Sequence, residues 1–235
     1  MKKKLGISFI LSLFGVIGGY FTARQTLESG SLPIPEDVPF VLITLVQTGV
    51  LTFLLSLAGL SMLKYTPFTF KSKSGIGLSV VLGGLVGLIL AGSDAVLFSR
   101  YLPTLTENEP AFSLFGLLMG VFYGGVVEEV MMRLFLMTLI VFLAVKITKK
   151  REFPSFFYWG VIFIVSLLFG IGHLPANFML FGELSPLIVG RALLLNGIGG
   201  MIFGYLYWKH GFIAAVVSHM SAHIFMQLLF IPLFY

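Results

Sequence analysis

Apolar residues run through this chain in blocks of about twenty or more, separated by short polar or Pro- and Gly-rich stretches. A helix needs about 20 such residues to cross the hydrocarbon core of a bilayer. Candidate spans run from Leu5 to Ala23, Val38 to Leu63, Ile76 to Phe98, Ala111 to about Ile147, Pro154 or Tyr158 to about His173, Pro186 to Trp208, and Phe212 to Phe234. The fourth block is too long for one straight crossing. It predicts either one tilted helix bent at Gly124-Gly125 or two helices broken there, so the count is seven or eight. The first block follows Lys2-Lys3-Lys4, as in a signal peptide. It is long for one, no small-x-small cleavage site precedes Pro33, and it reads as a retained helix. No internal repeat, linker or soluble segment interrupts the pattern. The expected fold is all-α, one polytopic transmembrane bundle over residues 1–235.

Composition agrees. The chain is 57% hydrophobic and 11% charged, against about 25% charged in soluble domains. The absence of cysteine excludes disulfides, thiolate catalysis and Cys-based zinc sites. The net charge of +5 is not a nucleic-acid signal, because its distribution follows the loops. With seven crossings, Lys2, Lys3, Lys4, Lys64, Lys71, Lys73, Lys146, Lys149, Lys150, Arg151 and Lys209 share one side, and only Arg24 and Arg100 face the other. Glu28, Glu36, Asp37, Glu107 and Glu109 also fall on that second side. The lysine bias predicts a cytoplasmic N-terminus and an external C-terminus. The small size and Lys-rich start suit a prokaryotic cytoplasmic membrane. The sequence sets no oligomeric state.

Ionisable residues lie inside these blocks: Asp94, Glu128, Glu129, Arg133, His173, Arg191, His219 and His223. His210, beside Lys209 and Gly211, is expected at the interface. A charge near the bilayer centre costs about 2.5–3.5 kcal/mol, so Glu128, Glu129 and Arg133 together cost roughly 8–10 kcal/mol before pairing. Such residues face the bundle interior and have partners. Glu129 and Arg133 are four apart on one helical face, glutamate first, the better order for a pair. Glu128 points about 100° away, which leaves it available. Phe169 and His173 share a face at the same spacing, and Pro175 is expected to end that helix. His219 and His223 are also four apart. Helix tilt is needed to bring these depths together. Asp94 and Arg191 read as pairing or cavity-lining residues. Gly197, Gly199, Gly200 and Gly204 read as a close-packing surface.

Three ordered motifs now stand in view: Glu128-Glu129-Val-Met-Met-Arg133, Phe169-Gly-Ile-Gly-His173 and His219-Met-Ser-Ala-His223. Together with the Gly204-Tyr-Leu-Tyr-Trp-Lys-His-Gly211 run before the third, they resemble the CAAX prenyl protease and bacteriocin-processing (Abi, CPBP) family of intramembrane endopeptidases. The resemblance covers about 111–224, and the first three spans contribute nothing to it. The family's third motif ends in Asn or Asp, where this chain has His223. The resemblance implies catalytic roles for Glu128, Glu129, Arg133, His173, His219 and His223, supported by Phe169.

Peptide hydrolysis needs an activated water, an oxyanion partner and a proton for the leaving amine. Glu128 is the expected base, with His173 and His219 on the oxyanion and no cofactor required. A rival mechanism places a divalent metal such as zinc on His219 and His223, whose i, i+4 spacing suits it, with His173 or Glu128 as third ligand. The expected function is endopeptidase action on a peptide or membrane-associated substrate, lipidated or not, near the cytoplasmic side. Two alternatives stand beside it. One is a non-catalytic family member that scaffolds or regulates a partner protein, motivated by His223. The other is a proton-coupled carrier, which ranks last because the chain lacks paired inverted halves.

Overall fold

Seven apolar blocks form helices long enough to cross a membrane: α1 (Lys2–Glu28), α2 (Phe40–Tyr65), α3 (Ile76–Phe98), α4 (Leu114–Thr148), α5 (Ser155–Phe181), α6 (Pro186–His210) and α7 (Phe212–Phe234). All regular structure among the described residues is helical. The computed structural model describes residues 1–30, 34–35, 38–72, 74–107 and 111–235. The expectations placed on Pro33, Glu36, Asp37, Lys73 and Glu109 lie outside those residues.

The outer surface of the bundle is apolar, and polar side chains within the spans turn inward, as lipid requires. Leu42, Ile43, Val46 and Leu54 of α2, Val81 and Leu85 of α3, and Phe163 and Ile164 of α5 are exposed. Thr48, Thr52, Ser56 and Ser79 are buried. Thr44, Thr48 and Thr52 each donate to the carbonyl four residues earlier, so these three hydroxyls are paired within their own helix. Small residues let the backbones approach: a Cβ on Gly19 would lie 2.9 Å from the Leu45 Cα, and one on Gly87 would lie 2.6 Å from the Ala222 carbonyl oxygen. The first contact joins α1 to α2 and the second joins α3 to α7.

α4 is the central helix. It packs against α1, α2, α5 and α7, and Val126, Val127, Val130, Leu134, Met137 and Val141 along it are all buried. It is one continuous helix of 35 residues rather than two. Instead of a break at Gly124-Gly125, it adopts wider π-helical turns over Gly120–Glu128 and Val130–Met137. π-helical turns are rare and cluster at functional sites. Here they flank the two motif glutamates.

α5 departs from expectation. Its first segment, Ser155–Gly172, stops just before His173, but the chain turns straight into a second segment, Leu174–Phe181. Pro175 therefore sits in the first turn of a helix rather than simply ending one. A missing N–H is harmless there, because first-turn N–H groups have no intrahelical acceptor. α6 and α7 are joined by Gly211 alone, with φ 102° and ψ 173°. The first amides of α7 are capped from the loop after α2: Phe212 donates to the Thr69 carbonyl at 2.9 Å and Ile213 to Phe70 at 3.2 Å. That cap fixes the start of the helix carrying His219 and His223.

Candidate active site

The π-wound middle of α4 sends its two glutamates different ways. Glu129 turns into the protein, where Arg133 Nη1 donates to its Oε1 at 2.7 Å. Both side chains are fully buried. Arg133 Nη2 donates to the Gly200 carbonyl on α6 at 3.0 Å. The guanidinium also lies 5.1 Å from the Phe169 ring centre and 5.5 Å from that of Phe203. Nearby, Thr138 and Tyr207 hydroxyls meet at 2.6 Å, a second polar tie between α4 and α6.

The same Glu129 oxygen holds His219. Its Nδ1 lies 2.8 Å from Glu129 Oε1. A carboxylate only accepts, so Nδ1 carries the hydrogen and Nε2 faces away from Glu129. His173 is oriented by the same logic. Its Nδ1 lies 2.8 Å from the Phe169 carbonyl oxygen, so that nitrogen donates and Nε2 is free to face the site.

Both Nε2 atoms face Glu128. His173 Nε2 is 3.9 Å from Glu128 Oε1, and His219 Nε2 is 3.8 Å from Glu128 Oε2. Glu128 is partly exposed to the chamber, with 19% of its side chain accessible. These separations are too long for direct hydrogen bonds. They leave one carboxylate and two oriented imidazoles around a shared space.

Aromatic rings hold the imidazoles. Phe169 presents its edge to His173 at 4.6 Å between ring centres and to His219 at 6.0 Å. Phe203 stacks on His219 at 4.4 Å, with an interplanar angle of 19°. His223 continues that stack, 5.2 Å from His219 at 18°. His223 occupies a notch made by Gly120 and Gly124 on α4. A Cβ on Gly124 would lie 2.7 Å from His223 Nε2 and 3.3 Å from His219 Nε2.

Glu128, His173, His219 and His223 line a chamber of about 420 Å³. A second lobe of about 330 Å³ is lined by Asp94, Asn177, Arg191 and Tyr235. The two adjoin through shared walls that include His173, Ala176 and Asn196. Arg191 Nε donates to Asp94 Oδ1 at 2.7 Å, its Nη2 to Oδ2, and its Nη1 to Asn177 Oδ1 at 3.0 Å. Asp94 and Arg191 thus pair with each other and line a cavity.

The three motifs therefore converge. Glu128, His173 and His219 meet, Glu129 and Arg133 brace His219 from behind, Phe169 wedges between them, and His223 stands beside His219 rather than against Glu128. Phe203 and the Gly200 carbonyl were not singled out from sequence. Their only signal was position, on the glycine-rich face of α6. Within that run, Gly200 packs against Ser166 and Gly204 against Ile162, but Gly197 faces open space. A close-packing role fails for Gly197.

As metal ligands these residues fit poorly. Donors on a tetrahedral zinc stand about 3.3 Å apart, closer than the 3.8 and 3.9 Å from Glu128 to the imidazoles. Among the described residues no three His, Cys, Asp or Glu side chains are grouped as a metal site.

No curated protein and no solved structure matches the chain. The model of one protein family does, Type II CAAX prenyl endopeptidase Rce1-like, over residues 110–225. That stretch contains α4 to His223 and every residue of the convergent site. Residues 110–225 of this integral membrane protein thus match the Rce1-like family of type II CAAX prenyl endopeptidases, a protease family.

Proposed function

We propose that the protein is an intramembrane endopeptidase that hydrolyses a peptide bond in a membrane-associated substrate, with Glu128 as general base. The observation that carries this reading is the pairing of each Glu128 oxygen with an oriented imidazole Nε2, at 3.9 and 3.8 Å, inside a chamber.

The chemistry follows from those atoms. The Glu128 carboxylate takes a proton from water, and the water oxygen bonds to the scissile carbonyl carbon. The carbonyl π electrons move onto oxygen. His173, with protons on both nitrogens, donates from Nε2 to that oxyanion. The intermediate then collapses, the C–N bond breaks, and Glu128 returns its proton to the leaving amine. Glu129 and Arg133 are positioning residues: they hold His219 and do not face the shared space. His223 shapes the chamber beside His219.

The substrate class follows from the lining and the family. Val86, Leu90, Met119, Phe169, Met179 and Leu195 make most of the chamber wall apolar, which suits an apolar side chain or a lipid group on the peptide. The Rce1-like family is described by its prenyl substrates, and a prenylated peptide is the first candidate. The lysine-rich end faces the cytoplasm of a prokaryotic cell membrane in this reading.

The test compares the peptides in membranes carrying wild-type protein with those carrying Glu128→Ala. Cleavage products present only with the wild type are expected. Identical peptide sets, with Glu128→Ala folded, would contradict the reading and favour a scaffold role. Hydrolysis proceeds here without a metal, so products should persist after exhaustive chelation; their loss and recovery on adding zinc would replace Glu128 with a metal-activated water.

A further inference from the structure

Three arginines are compensated: Arg24 pairs with Glu28 at 3.4 Å, Arg133 with Glu129, and Arg191 with Asp94. Three lysines at the other end of the bundle are not. Lys64 Nζ lies 4.6 Å from the centre of the Tyr65 ring, and Lys146 Nζ lies 4.8 Å from the same centre. Lys146 Nζ is also 5.5 Å from the Phe142 ring, which packs against Tyr65 at 5.4 Å. Lys4 of α1 acts electrostatically on the same phenol. Among the described residues no ion pair joins Lys4, Lys64 or Lys146 to a carboxylate.

Lys64 of α2 and Lys146 of α4 thus bring like charges onto one ring at the end of α2, and Lys4 of α1 acts on it electrostatically. The aromatic faces offset part of that repulsion, and an anion among the ammoniums would offset the rest. Lysines in a last helical turn also oppose the helix dipole, but that role needs neither a third cation from α1 nor a shared ring. Tyr65 adds a hydroxyl donor. Tyrosine and lysine at a helix end sit at headgroup depth. The geometry points to a binding site for a phosphate-bearing anion on Lys4, Lys64, Lys146 and Tyr65, and its position in the headgroup layer selects an anionic phospholipid as the occupant. The site is independent of the proteolytic reading.

The experiment is thermal unfolding of the detergent-solubilised full chain, titrated separately with dioleoylphosphatidylglycerol, dioleoylphosphatidylcholine and inorganic phosphate. Phosphatidylglycerol is expected to raise Tm saturably and phosphatidylcholine is not. Lys64→Gln/Lys146→Gln should weaken the phosphatidylglycerol effect by at least tenfold in apparent affinity, from about one order per removed pair of surface cations. Lys149→Gln/Lys150→Gln, which removes equal charge outside the cluster, should leave it within about threefold. Stabilisation by inorganic phosphate at matching affinity would keep the anion site and replace lipid with free phosphate as its source. Equal responses in all three proteins, or no response to phosphatidylglycerol in the wild type, would overturn the proposal. Lys64→Gln and Lys146→Gln made singly give a second reading should the double variant not fold: phosphatidylglycerol affinity weakened in each supports the site, and affinity unchanged in both would overturn it.

Discussion

Two neighbouring glutamates have opposite surroundings, and their substitutions should separate accordingly. Glu129 accepts from Arg133 and His219, with no accessible surface. Glu129→Ala would leave the Arg133 guanidinium buried without its counter-charge, a loss of about 3–5 kcal/mol. Among the described residues Glu128 has no direct hydrogen bond to another side chain at the distances observed, so Glu128→Gln should change stability by less than about 1 kcal/mol. Chemical or thermal unfolding in detergent measures both. Equal losses would show that the division of labour is wrong. His223 allows a sharper test. Gly124→Ala puts a methyl 2.7 Å from His223 Nε2, against a ring already stacked on His219. Turnover should fall about tenfold or more, and His223→Asn in the same chain should restore part of it, because the two changes share one space. Additive losses in that double-mutant cycle would separate Gly124 from His223. The i, i+4 pair of Glu129 with Arg133 was legible from spacing alone. The attachment of His219 to the same carboxylate was not, because 90 residues separate them and no local pattern encodes that contact.

At the scale of elements, hydropathy placed the spans well, since in lipid an apolar block of sufficient length has little choice but to be a helix. Ile76 to Phe98 and Phe212 to Phe234 match their helices end to end. What hydropathy missed were changes within a block. The π winding of α4 leaves the apolar pattern intact, and the short helix Leu174–Phe181 hides behind a proline that reads as a stop. Both lie at the site: one sets the directions of Glu128 and Glu129, and the other begins at His173. The Gly211 junction also belongs to this scale. Its φ of 102° and ψ of 173° fall in a region that is essentially glycine-only, at a cost of about 1–3 kcal/mol for another residue. A Cβ there would also lie 2.7 Å from Thr69 Oγ1. Gly211→Ala should lower stability by about 2–3 kcal/mol and loosen the cap on α7, read as a lower Tm. An unchanged Tm would mean the α6–α7 junction is not held as described.

For the whole molecule, both cavities lie away from the lysines. Asp94 is near the end of α3, Arg191 near the start of α6, and Thr22 and Met119 likewise sit at that end of α1 and α4. Cleavage near the cytoplasmic side, where the lysines are expected, stands against access to the chamber from the other end of the bundle, toward which these wall residues lie; we predict the second. Because the chain has no cysteine, single cysteines can report this. Ala176→Cys, on the wall shared by both lobes, should react with a membrane-impermeant maleimide added to the side opposite the one that labels Lys150→Cys. Labelling of both from one side would reverse the direction of access. No hydropathy pattern could have shown the chamber, because it is built from the mutual packing of α1 and α3 to α7 and the meeting of residues as distant as Asp94 and Arg191.

The central claim is that Glu128 activates water between two imidazoles, and its most direct measurement is single-turnover cleavage of an identified substrate by purified wild-type and Glu128→Gln proteins with matched unfolding curves. The account predicts that the glutamine variant binds substrate but cleaves it about 10³-fold more slowly, the scale of a lost general base. A folded Glu128→Gln protein that cleaves at the wild-type rate would contradict it.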